Sequence, residues 1–438
     1  MKAFFIYLLV LTTFCELTLN LCVTGMASTS SRSAYYESTQ AHKQLNETAK
    51  NKAESEGVKF YRTESASHST RNDGARFDYD SISTFSSVAS AAMQDYYNQL
   101  GMQTSFNAYS YYGHTPLTAA MFSVKYEFTD NTPSLPTNMT EIGSQTYSTG
   151  NNAASTVHLY EYNNTLPLGF MVNMSTEANW NKETGNPFTT QNSFVKTAID
   201  SDANIFHQLQ TTDTVGTFTA KYQLEEDDNY KPSGDAATYD VYFYCVTSSE
   251  TLTVNITNGS ITDDNSTTKT FSSTNQNYIC HVGNVSAGST ITVTASDGQA
   301  LTTCYAYAFD NDAWETAYKL LNKNPYTVES YSDTKITGKV TAKKQGIMYT
   351  SIPYDKGWNV YVDGVKSKTT SICSGALTGV LVEAGTHEIT FKYTPKGLVP
   401  GIVITIICLL IFLGIIYKDN IINLISNKSK NNKVTSKK

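Results

Sequence analysis

The stretch of chain that most limits what this protein can be lies near its C-terminus. From Leu398 to Tyr417 the sequence reads LVPGIVITIICLLIFLGIIY, and about 20 uncharged residues form a helix long enough to cross a bilayer. The tail after it holds six lysines and one aspartate. Because basic residues concentrate on the cytoplasmic side of a span, we predict a transmembrane helix at 398–417, a cytoplasmic tail at 418–438 and an extracytoplasmic domain before them.

A second apolar stretch lies at the N-terminus, where residues 4–26 read FFIYLLVLTTFCELTLNLCVTGM. We predict a retained transmembrane helix over residues 1–26, with a signal peptide as the alternative because Gly25 and Ala27 offer a cleavage point. Glu16 and Asn20 lie one helical turn apart in this stretch. A carboxyl group in hydrocarbon normally faces other helices or water, so we expect both side chains to pack against a membrane partner. This predicts a plasma-membrane protein with two spans and both termini in the cytoplasm.

The segment between the spans has the composition of a β protein. It contributes most of the 30 tyrosines of the chain, while only 16% of all residues are charged. Short runs such as DVYFYCVT, TLTVNIT and TITVTAS alternate in polarity and are separated by turn residues, as in β-sandwiches. We predict a mainly β fold with β-sandwich domains and a few helices: a mixed α/β region at 27–145, a β-sandwich domain at 146–330 and a membrane-proximal β-sandwich portion at 331–397.

Two helices are predicted in this segment. Apolar residues at helical spacing predict the first from about Ser86 to Leu100, ended by Gly101, a usual residue after a helix C-terminus. The second is predicted from Asp312 to Leu321. Four cysteines lie outside the spans, and two disulfides are possible between them in an oxidising compartment. We would test the pair Cys280 and Cys304 first. The other two cysteines are Cys245 and Cys373.

Charge and motifs exclude several classes of function. The net charge is −7 despite the basic tail, so the extracytoplasmic part is acidic, which argues against nucleic acid and against binding anionic polymers by bulk charge alone. The sequence holds no complete nucleophile, zinc-helix, phosphate-loop or calcium-loop motif. We therefore name no catalytic residue and expect no metal and no cofactor. The acidic run at 225–228 is interpreted as a solvated turn.

A tyrosine-rich stretch is the best candidate for a binding site. Asn107, Tyr109, Tyr112 and His114 lie close together in NAYSYYGHTP. Aromatic faces with polar groups nearby can hold sugars, and we name these four residues as carbohydrate-contact candidates. Burial of the tyrosines in a core is the alternative and the commoner case.

The stretch IPYDKGWNVYVDG predicts a hairpin. Alternation around Trp358 indicates a half-buried strand, and Asp363 with Gly364 suits the positive φ angles of a tight type I′ turn. His387 follows Gly385 at the start of another predicted strand, and we expect it to fix a turn through a hydrogen bond.

Several ordered motifs give the chain a family resemblance. SIPYDKGWNVYVDG and GVLVEAGTHEITFKYTPKG precede a terminal span and a lysine tail, and DYDSISTFSSVASAAMQDYYNQLGM and NAYSYYGHTPLTAAMFSVKYEF precede them in order. Together they resemble the C-terminal portion of the YfhO family of bacterial membrane proteins. The matching positions, for which we expect a structural role, are Pro353, Tyr354, Gly357, Trp358, Asp363, Gly364, Gly385 and His387, with Ser86, Ser87, Asn107, Lys125 and Tyr126 earlier in the chain.

The resemblance implies a role in the cell envelope. Members of this family resemble C-type glycosyltransferases and are implicated in decorating cell-wall polymers such as lipoteichoic acid from a polyprenyl-linked sugar. Because the chain opens at what resembles a late span of the family, no catalytic residue is carried over. We expect an accessory or truncated module that has a polytopic partner and contacts a cell-wall polymer or polyprenyl-linked sugar. A stand-alone carbohydrate-binding or structural surface protein is the alternative.

Overall fold

The architecture was analysed in a computed structural model. It describes residues 2–28, 35–130, 138–150, 153–182, 185–211, 219–224, 230 and 238–418. The acidic run at 225–228 and most of the basic tail lie outside the described residues. The fold is mainly β, as predicted, with an apolar helix at each end.

The first folded region is a four-stranded sheet with short elements packed around it. Its elements, after helix α1 (Lys2–Ser28), are α2 (Thr39–Ser55), β1 (Arg62–Ser65), α3 (Asp73–Phe77), β2 (Thr84–Phe85), α4 (Ala91–Gln99), β3 (Thr104–Ser105), β4 (Ala108–Tyr109), α5 (Pro116–Met121), β5 (Val124–Asp130), β6 (Met139–Ser148) and β7 (Ala154–Tyr162). The sheet order is β1-β5-β7-β6, and β2, β4 and β3 form a small separate sheet. Leu45 and Ala49 of α2 share a buried cluster with Phe128 and Leu159 of the larger sheet.

Helix α4 ends as predicted but begins later. Gly101 has a φ of +80° and follows the last turn, as expected for its position. The predicted start near Ser86 is wrong, because the Ser90 side chain accepts a hydrogen bond from the Met93 backbone N–H and caps the helix there. Phe85 belongs to β2 instead and leaves its side chain 55% exposed, while Val88 is 89% exposed.

The second folded region is a β-sandwich preceded by helices. Its elements are β8 (Gly169–Val172), α6 (Thr176–Asn179), α7 (Pro187–Ile199), β9 (Phe206–Gln208), β10 (Gln210–Thr211), β11 (Thr219–Gln223), β12 (Thr238–Thr247), β13 (Thr251–Thr257), β14 (Thr268–Ser272), β15 (Cys280–Ser286), β16 (Thr290–Ala295), β17 (Leu301–Phe309) and α8 (Asn311–Leu321). One sheet has the order β10-β11-β16-β13-β14 and the other β15-β12-β17-β9. Alternate residues of β13, such as Val254, meet Val241 of β12 in one core. Helix α8 confirms the helix predicted from Asp312 to Leu321.

Cys280 and Cys304, the pair named for a first test, are not bonded to each other. Cys304 of β17 bonds instead to Cys245, which lies directly opposite it on the neighbouring strand β12. Cys280 is a buried free thiol on the other side of β12, and Cys373 is a buried free thiol as well. Strand register decides which cysteines face each other, and the sequence pattern does not specify that register.

The last folded region is a second sandwich, completed by a strand from far earlier in the chain. Its elements are β18 (Thr327–Ser332), β19 (Lys335–Ala342), β20 (Gly346–Pro353), β21 (Trp358–Val362), β22 (Val365–Ser367), β23 (Thr370–Ile372), β24 (Leu377–Val382) and β25 (Gly385–Tyr393), followed by α9 (Leu398–Ile416). The sheets run β18-β19-β25-β21-β22 and β23-β24-β20-β8. Because β8 pairs with β20, this sandwich shares a strand with the preceding segment.

A single large core joins the three regions. Tyr96 of α4, Phe194 of α7 and Trp314 of α8 are all at most 1% exposed and belong to this core. Arg62 of β1 also crosses between regions, donating hydrogen bonds to Ser351 Oγ at 2.7 Å and to the Ser351 carbonyl at 3.1 Å. The regions therefore pack as parts of one folded body rather than as separate units on linkers.

The two terminal helices are long and apolar enough to cross a membrane. The qualifying segments are Ala3–Gly25 and Leu398–Ile416. None of the residues tested in either segment is buried against the rest of the chain. Helix α9 starts five residues after β25 ends, so the last sandwich is held next to that helix.

Candidate functional site

A cleft lies between the first folded region and the middle sandwich. Its volume is about 470 Å³, within the range of small-molecule sites. Tyr112, His114 and Glu127 line it from the first region, and Lys269, Tyr278 and His281 line it from the sandwich. Two of the predicted carbohydrate-contact candidates, Tyr112 and His114, are therefore brought together here.

Two glycines let the walls of the cleft approach each other. Gly113 has a φ of +86°, and a Cβ there would lie 2.3 Å from the Gly101 carbonyl oxygen and 2.9 Å from Tyr278 Cβ. A Cβ on Gly101 would lie 2.6 Å from Ile279. The Ile279 N–H donates to the Gly101 carbonyl at 2.8 Å. The sandwich is thus fixed to the first region at the base of the cleft.

On one wall, His114 lies against a buried carboxylate. The hydroxyls of Tyr111 and Tyr162 donate to Glu127 Oε2 at 2.7 and 2.8 Å, and His114 Nε2 lies 3.4 Å from the same oxygen. Burial, followed by the nearby Glu127 charge, raises the pKa of both tyrosines well above the usual range, so both remain protonated donors. Burial lowers the pKa of His114. Its ring stacks on Tyr111 with centroids 3.8 Å apart, which fixes its position.

On the opposite wall, His281 forms a second histidine–carboxylate pair. Its Nε2 lies 2.6 Å from Oδ1 of Asp240, which is 3% exposed. The His281 ring also stacks on Tyr242 at 4.4 Å. Both partners come from β12, and His281 comes from the adjacent strand β15. Each histidine of the cleft is thus held by a carboxylate and an aromatic ring.

Two basic side chains near the cleft have neutral partners. Lys269 Nζ donates to the Val282 carbonyl at 2.9 Å, and burial lowers the pKa of this lysine. Arg71 Nη2 donates to Gln103 Oε1 at 2.7 Å and Gln276 Oε1 at 2.8 Å, and Gln103 lines the cleft. Within the described part of the chain, neither cation forms an ion pair with a carboxylate.

Aromatic rings stand on both sides of the opening. The Tyr112 hydroxyl accepts a hydrogen bond from the His68 N–H at 2.9 Å, and the Tyr278 hydroxyl donates to the Ser272 carbonyl at 2.6 Å. The two ring centroids lie 6.2 Å apart. These bonds hold both rings in place while leaving each partly exposed. Rings of this kind offer apolar faces to a ligand next to polar groups.

The other two carbohydrate-contact candidates lie elsewhere. Asn107 and Tyr109 belong to the turn and strand of the small β2-β4-β3 sheet and are not among the lining residues of this cleft. Asn107 adopts a φ of +56°, and its carbonyl accepts from the Ser86 N–H at 3.0 Å. The Tyr109 ring packs 4.7 Å from Tyr97 at the edge of the large core.

The family-motif positions around the predicted hairpin form a network of contacts at its turn. Asp363 and Gly364 both have positive φ, 51° and 78°, which confirms the predicted turn. Asp363 Oδ2 lies 2.7 Å from His387 Nδ1, and Oδ1 accepts from the Glu388 N–H at 2.9 Å. His387 therefore contacts the 363–364 turn, and not the glycine turn that directly precedes it in the sequence, where the hydrogen bond was expected. Gly385 has a φ of 136°, and a Cβ there would lie 3.2 Å from the His387 ring.

The remaining positions of this motif also make contacts within the last sandwich. A Cβ on Gly357 would lie 2.7 Å from the Thr394 carbonyl, so only glycine fits. The Trp358 ring packs 5.0 Å from Tyr393. The Pro353 carbonyl accepts from Thr378 Oγ1 at 3.4 Å. Tyr354 donates its N–H to the Ala376 carbonyl at 2.8 Å.

The earlier motif positions lie in the first region. Lys125 Nζ lies 2.6 Å from Glu161 and 3.1 Å from Glu56, and the Tyr126 ring packs 5.1 Å from Tyr61. Ser86 and Ser87 lie between β2 and α4.

Glu16 and Asn20 lie on one side of helix α1. They line a shallow groove along the helix with Thr12 and Cys15, and Asn20 Oδ1 accepts from Thr24 Oγ1 at 3.1 Å. No residue outside the helix lines this groove in the part of the chain that the structure describes. Both side chains are exposed.

Sequence reasoning missed Lys269, His281 and Glu127. No motif spacing connects them to His114, because they come from three different strands. Glu127 lies in the strand VKYEFTD, where its alternation with Tyr126 and Phe128 predicts an exposed side chain, although the structure buries it. Lys269 and His281 look like ordinary polar strand residues.

A second groove of about 710 Å³ runs beside the first sheet. Tyr61, Tyr79 and Tyr331 contribute to its walls. Two lysines line it, Lys50 and Lys59. Lys50 pairs with Asp78 at 2.9 Å and with Glu47 at 3.2 Å. We therefore regard the cleft beside His114 as the stronger candidate site.

Comparison with known proteins identifies the family. A family model described as bacterial membrane protein YfhO matches residues 1–405. The comparison with curated proteins finds no match. Among solved structures, quercetin 2,3-dioxygenase from Acinetobacter baumannii is similar at 10% identity and a TM-score of 0.11, over 44% of this chain and 79% of that chain. A cupin 2 conserved barrel domain protein from Leptotrichia buccalis is similar at 12% identity and a TM-score of 0.10, over 44% and 88% respectively. Since the family model matches most of the chain, the protein belongs to the YfhO family of bacterial membrane proteins.

Proposed function

We propose that this membrane protein takes part in the glycosylation of a cell-wall polymer of the lipoteichoic acid type, and that its folded domain holds the acceptor polymer. The observation that supports this role is the cleft beside His114. It presents the Tyr112 and Tyr278 rings next to the polar groups of His114 and His281. Such a combination suits a ligand made of sugars or polyols, whose surfaces are apolar on ring faces and polar at hydroxyls.

The proposal assigns the chain a positioning role. Transfer from a lipid-linked sugar needs a donor site within the membrane and a base that activates the acceptor hydroxyl. Holding the acceptor over such a site lowers the entropic cost of the reaction. In this arrangement the domain is extracytoplasmic, both termini are cytoplasmic and the protein resides in the plasma membrane. The open face of α1 with Glu16 and Asn20 then contacts a polytopic partner that binds the polyprenyl-linked sugar.

The test uses the full chain purified in mild detergent. We expect immobilised lipoteichoic acid to bind it, and Tyr112→Ala to weaken binding by about 10-fold because stacking on the ring is lost. Tyr112→Phe keeps the ring and should bind nearly as the wild type does. Tyr36→Ala removes a ring that is 55% exposed and does not line the cleft, so it serves as the matched control. Equal binding by all four proteins would contradict the proposal.

Co-purification distinguishes the proposal from its alternative. If the chain acts with a transferase, mass spectrometry of the material purified from membranes should find a polytopic protein or a polyprenyl-linked sugar. Replacing Glu16 with leucine should reduce that recovery, since a buried carboxyl in the membrane needs a specific partner. A chain that binds polymer but is recovered alone would favour a stand-alone carbohydrate-binding surface protein.

A further inference from the structure

We infer that the first folded region makes a membrane contact of its own, in which the side chains of Phe85, Val88 and Phe106 insert into the bilayer leaflet next to helix α9. These three residues are called the apolar tip. The contact sets how the folded body rests on the membrane, and it requires no ligand in the cleft.

The apolar tip is a group of large apolar side chains that the other described residues leave largely uncovered. Phe106 is 87% exposed, and Phe85 and Val88 are exposed as well. The small sheet holds the group together, because Phe85 pairs with Ala108 of β4 and Phe106 lies in the turn that joins β3 to β4. Apolar side chains grouped on an exposed surface mark a site of contact with a protein or a membrane.

The chain around the apolar tip is nearly free of charge. Residues 81–113 include a single Asp, Glu, Lys or Arg, which is Asp95, although such residues make up 16% of the whole chain. The polar neighbours of the apolar tip are short neutral side chains such as Ser86, Ser87 and Asn107. Moving a charged side chain into hydrocarbon is costly. The segment therefore meets the restriction on charge that a bilayer imposes.

The direction of the strands shows which end of the last sandwich lies next to the bilayer. Strand β25 ends at Tyr393, and four residues separate it from helix α9. Trp358 is paired with Tyr393, so β21 begins at this end and runs away from it toward the 363–364 turn. Tryptophan and tyrosine rings are enriched where a membrane meets water. We call this the membrane end of the sandwich.

One chain of contacts leads from the membrane end to the apolar tip through helix α4. The connection at 354–357 lies at the membrane end, because β21 begins directly after it. The Tyr354 N–H of this connection donates to the Ala376 carbonyl at 2.8 Å. A Cβ on the adjacent Gly375 would lie 3.9 Å from the Cβ of Ala92. This alanine is in the first turn of α4, which follows the apolar tip closely in the sequence.

A second chain of contacts reaches the apolar tip from strand β18. The Tyr393 N–H donates to the Thr334 carbonyl at 2.8 Å, which places the turn between β18 and β19 at the membrane end. Tyr331, near the end of β18, lines the groove of about 710 Å³ together with Asn72. The Asn72 side chain donates to the Phe85 carbonyl at 3.1 Å and accepts from the Phe85 N–H at 2.9 Å. Both chains of contacts therefore connect the apolar tip to the end from which α9 leaves the body.

A second membrane contact restricts the motion of the folded body. Helix α9 holds the body only through residues 394–397, and one such connection leaves the body able to pivot. Apolar side chains that enter the boundary between headgroups and acyl chains bind there by burying apolar area. Insertion of the apolar tip therefore fixes the tilt of the body over the bilayer.

The experiment measures whether the apolar tip enters the bilayer, with the full chain reconstituted into phosphatidylcholine vesicles. An environment-sensitive fluorophore is attached to Val88→Cys in a chain whose cysteines in the spans, Cys15, Cys22 and Cys408, are replaced by alanine. The two remaining free thiols are buried, so one label per chain shows that the fold is kept. Lipids with a nitroxide on the acyl chain then quench a fluorophore that enters the bilayer.

The matched control is the same fluorophore at Val365→Cys. Val365 is also an exposed valine, but it follows the 363–364 turn at the opposite end of β21 from Trp358. We expect quenching at position 88 to be at least about 3-fold stronger than at position 365, because inserted apolar groups lie about 5–10 Å into the headgroup and acyl boundary. The emission at position 88 should also shift to shorter wavelength.

A double substitution tests the side chains that anchor the contact. Phe85→Ser with Phe106→Ser removes both rings of the apolar tip, and we expect the fluorophore at position 88 to lose at least about half of its quenching. Leu320→Ser with Leu381→Ser removes two exposed apolar side chains outside the apolar tip and should leave the quenching unchanged.

Three outcomes would overturn the contact or part of it. Weak quenching at both positions, with emission typical of water, would overturn the membrane contact. A fluorophore at position 88 that is shielded from water but not quenched by the nitroxide lipid would show that a second copy of the chain covers the apolar tip instead of lipid. Strong quenching that the double serine variant retains would overturn the role of the two phenylalanines.

Discussion

At the scale of single residues, a buried carboxylate organises the first folded region. Glu64 of β1 is fully buried and accepts from His68 Nε2 at 3.1 Å, Ser81 Oγ at 2.6 Å and the Ser83 N–H at 3.1 Å. The Ile82 N–H donates to it as well. Burial by itself raises the pKa of Glu64, but the hydrogen bond and charge of His68 and the other donors lower it overall. The side chain is therefore an ionised acceptor that ties the 81–83 segment to the sheet.

We predict that Glu64→Gln lowers the free energy of unfolding by about 3–5 kcal/mol, because it places an amide donor among groups that already donate. Equilibrium denaturation in urea at pH 7 measures this. Since the folded pKa of Glu64 is lowered, the stability gained from its ionisation is present above the unfolded pKa of about 4.3 and is lost as pH falls through the folded pKa. The difference between wild type and variant should therefore shrink below about pH 4.

The matched control is Glu329→Gln, which breaks a pair with Lys339 in which Glu329 is 47% exposed. We expect it to cost less than about 1 kcal/mol. If both substitutions lower the free energy of unfolding by the same amount, Glu64 does not have the organising role assigned to it.

At the scale of elements, two loops decide how the sandwich meets the first region. The loop that carries Gly113 lies against the one that carries Tyr278 and Ile279, so close that a methyl group on Gly113 has no space. This contact, rather than either sheet alone, forms the cleft. A change confined to the contact should therefore affect both stability and ligand binding.

We predict that Gly113→Ala destabilises the protein by about 2–5 kcal/mol. About 1–2 kcal/mol comes from placing an L side chain at positive φ, and the rest from the overlap with Gly101 and Tyr278. Gly57→Ala is the control, because Gly57 has a similar φ of +73° but nothing within 4 Å of the added Cβ. Urea denaturation of both variants separates the two costs. A loss for Gly113→Ala no greater than for Gly57→Ala would show that the loops do not pack as described.

At the scale of the whole molecule, an apolar helix at each end sets how the folded body meets a membrane. Four residues separate the last sandwich from helix α9, and α1 is also long enough to span. A cleaved signal peptide would leave one anchor, whereas a retained helix would leave two. Retention also keeps the face with Glu16 and Asn20 in the membrane.

We predict that the protein extracted from membranes retains its first helix. Intact-mass measurement of the purified chain should give the mass of a polypeptide that includes residues 4–26. A C-terminal tag allows both forms to be purified, so that cleavage does not escape detection. A mass that corresponds to a chain starting near Ser28 would contradict the prediction and remove Glu16 from any role in the mature protein.

The sequence by itself determined the local features of this protein. The apolar helices, the alternating strands, the 363–364 turn and the helix end at Gly101 follow from periodicity and residue type, which act over a few residues. The ordered motifs also sufficed to indicate the family. Of the site, the sequence indicated Tyr112 and His114 because they lie in one short stretch.

Only the tertiary structure decided the long-range arrangement. Three features depend on strand register and on packing between regions. Strand β8 completes the last sandwich, Cys245 faces Cys304, and Lys269 and His281 lie opposite His114. A sequence pattern specifies which face of a strand is buried but not which strand will cover it. For that reason the sequence indicated Tyr112 and His114 but not the residues that the sandwich contributes to the cleft.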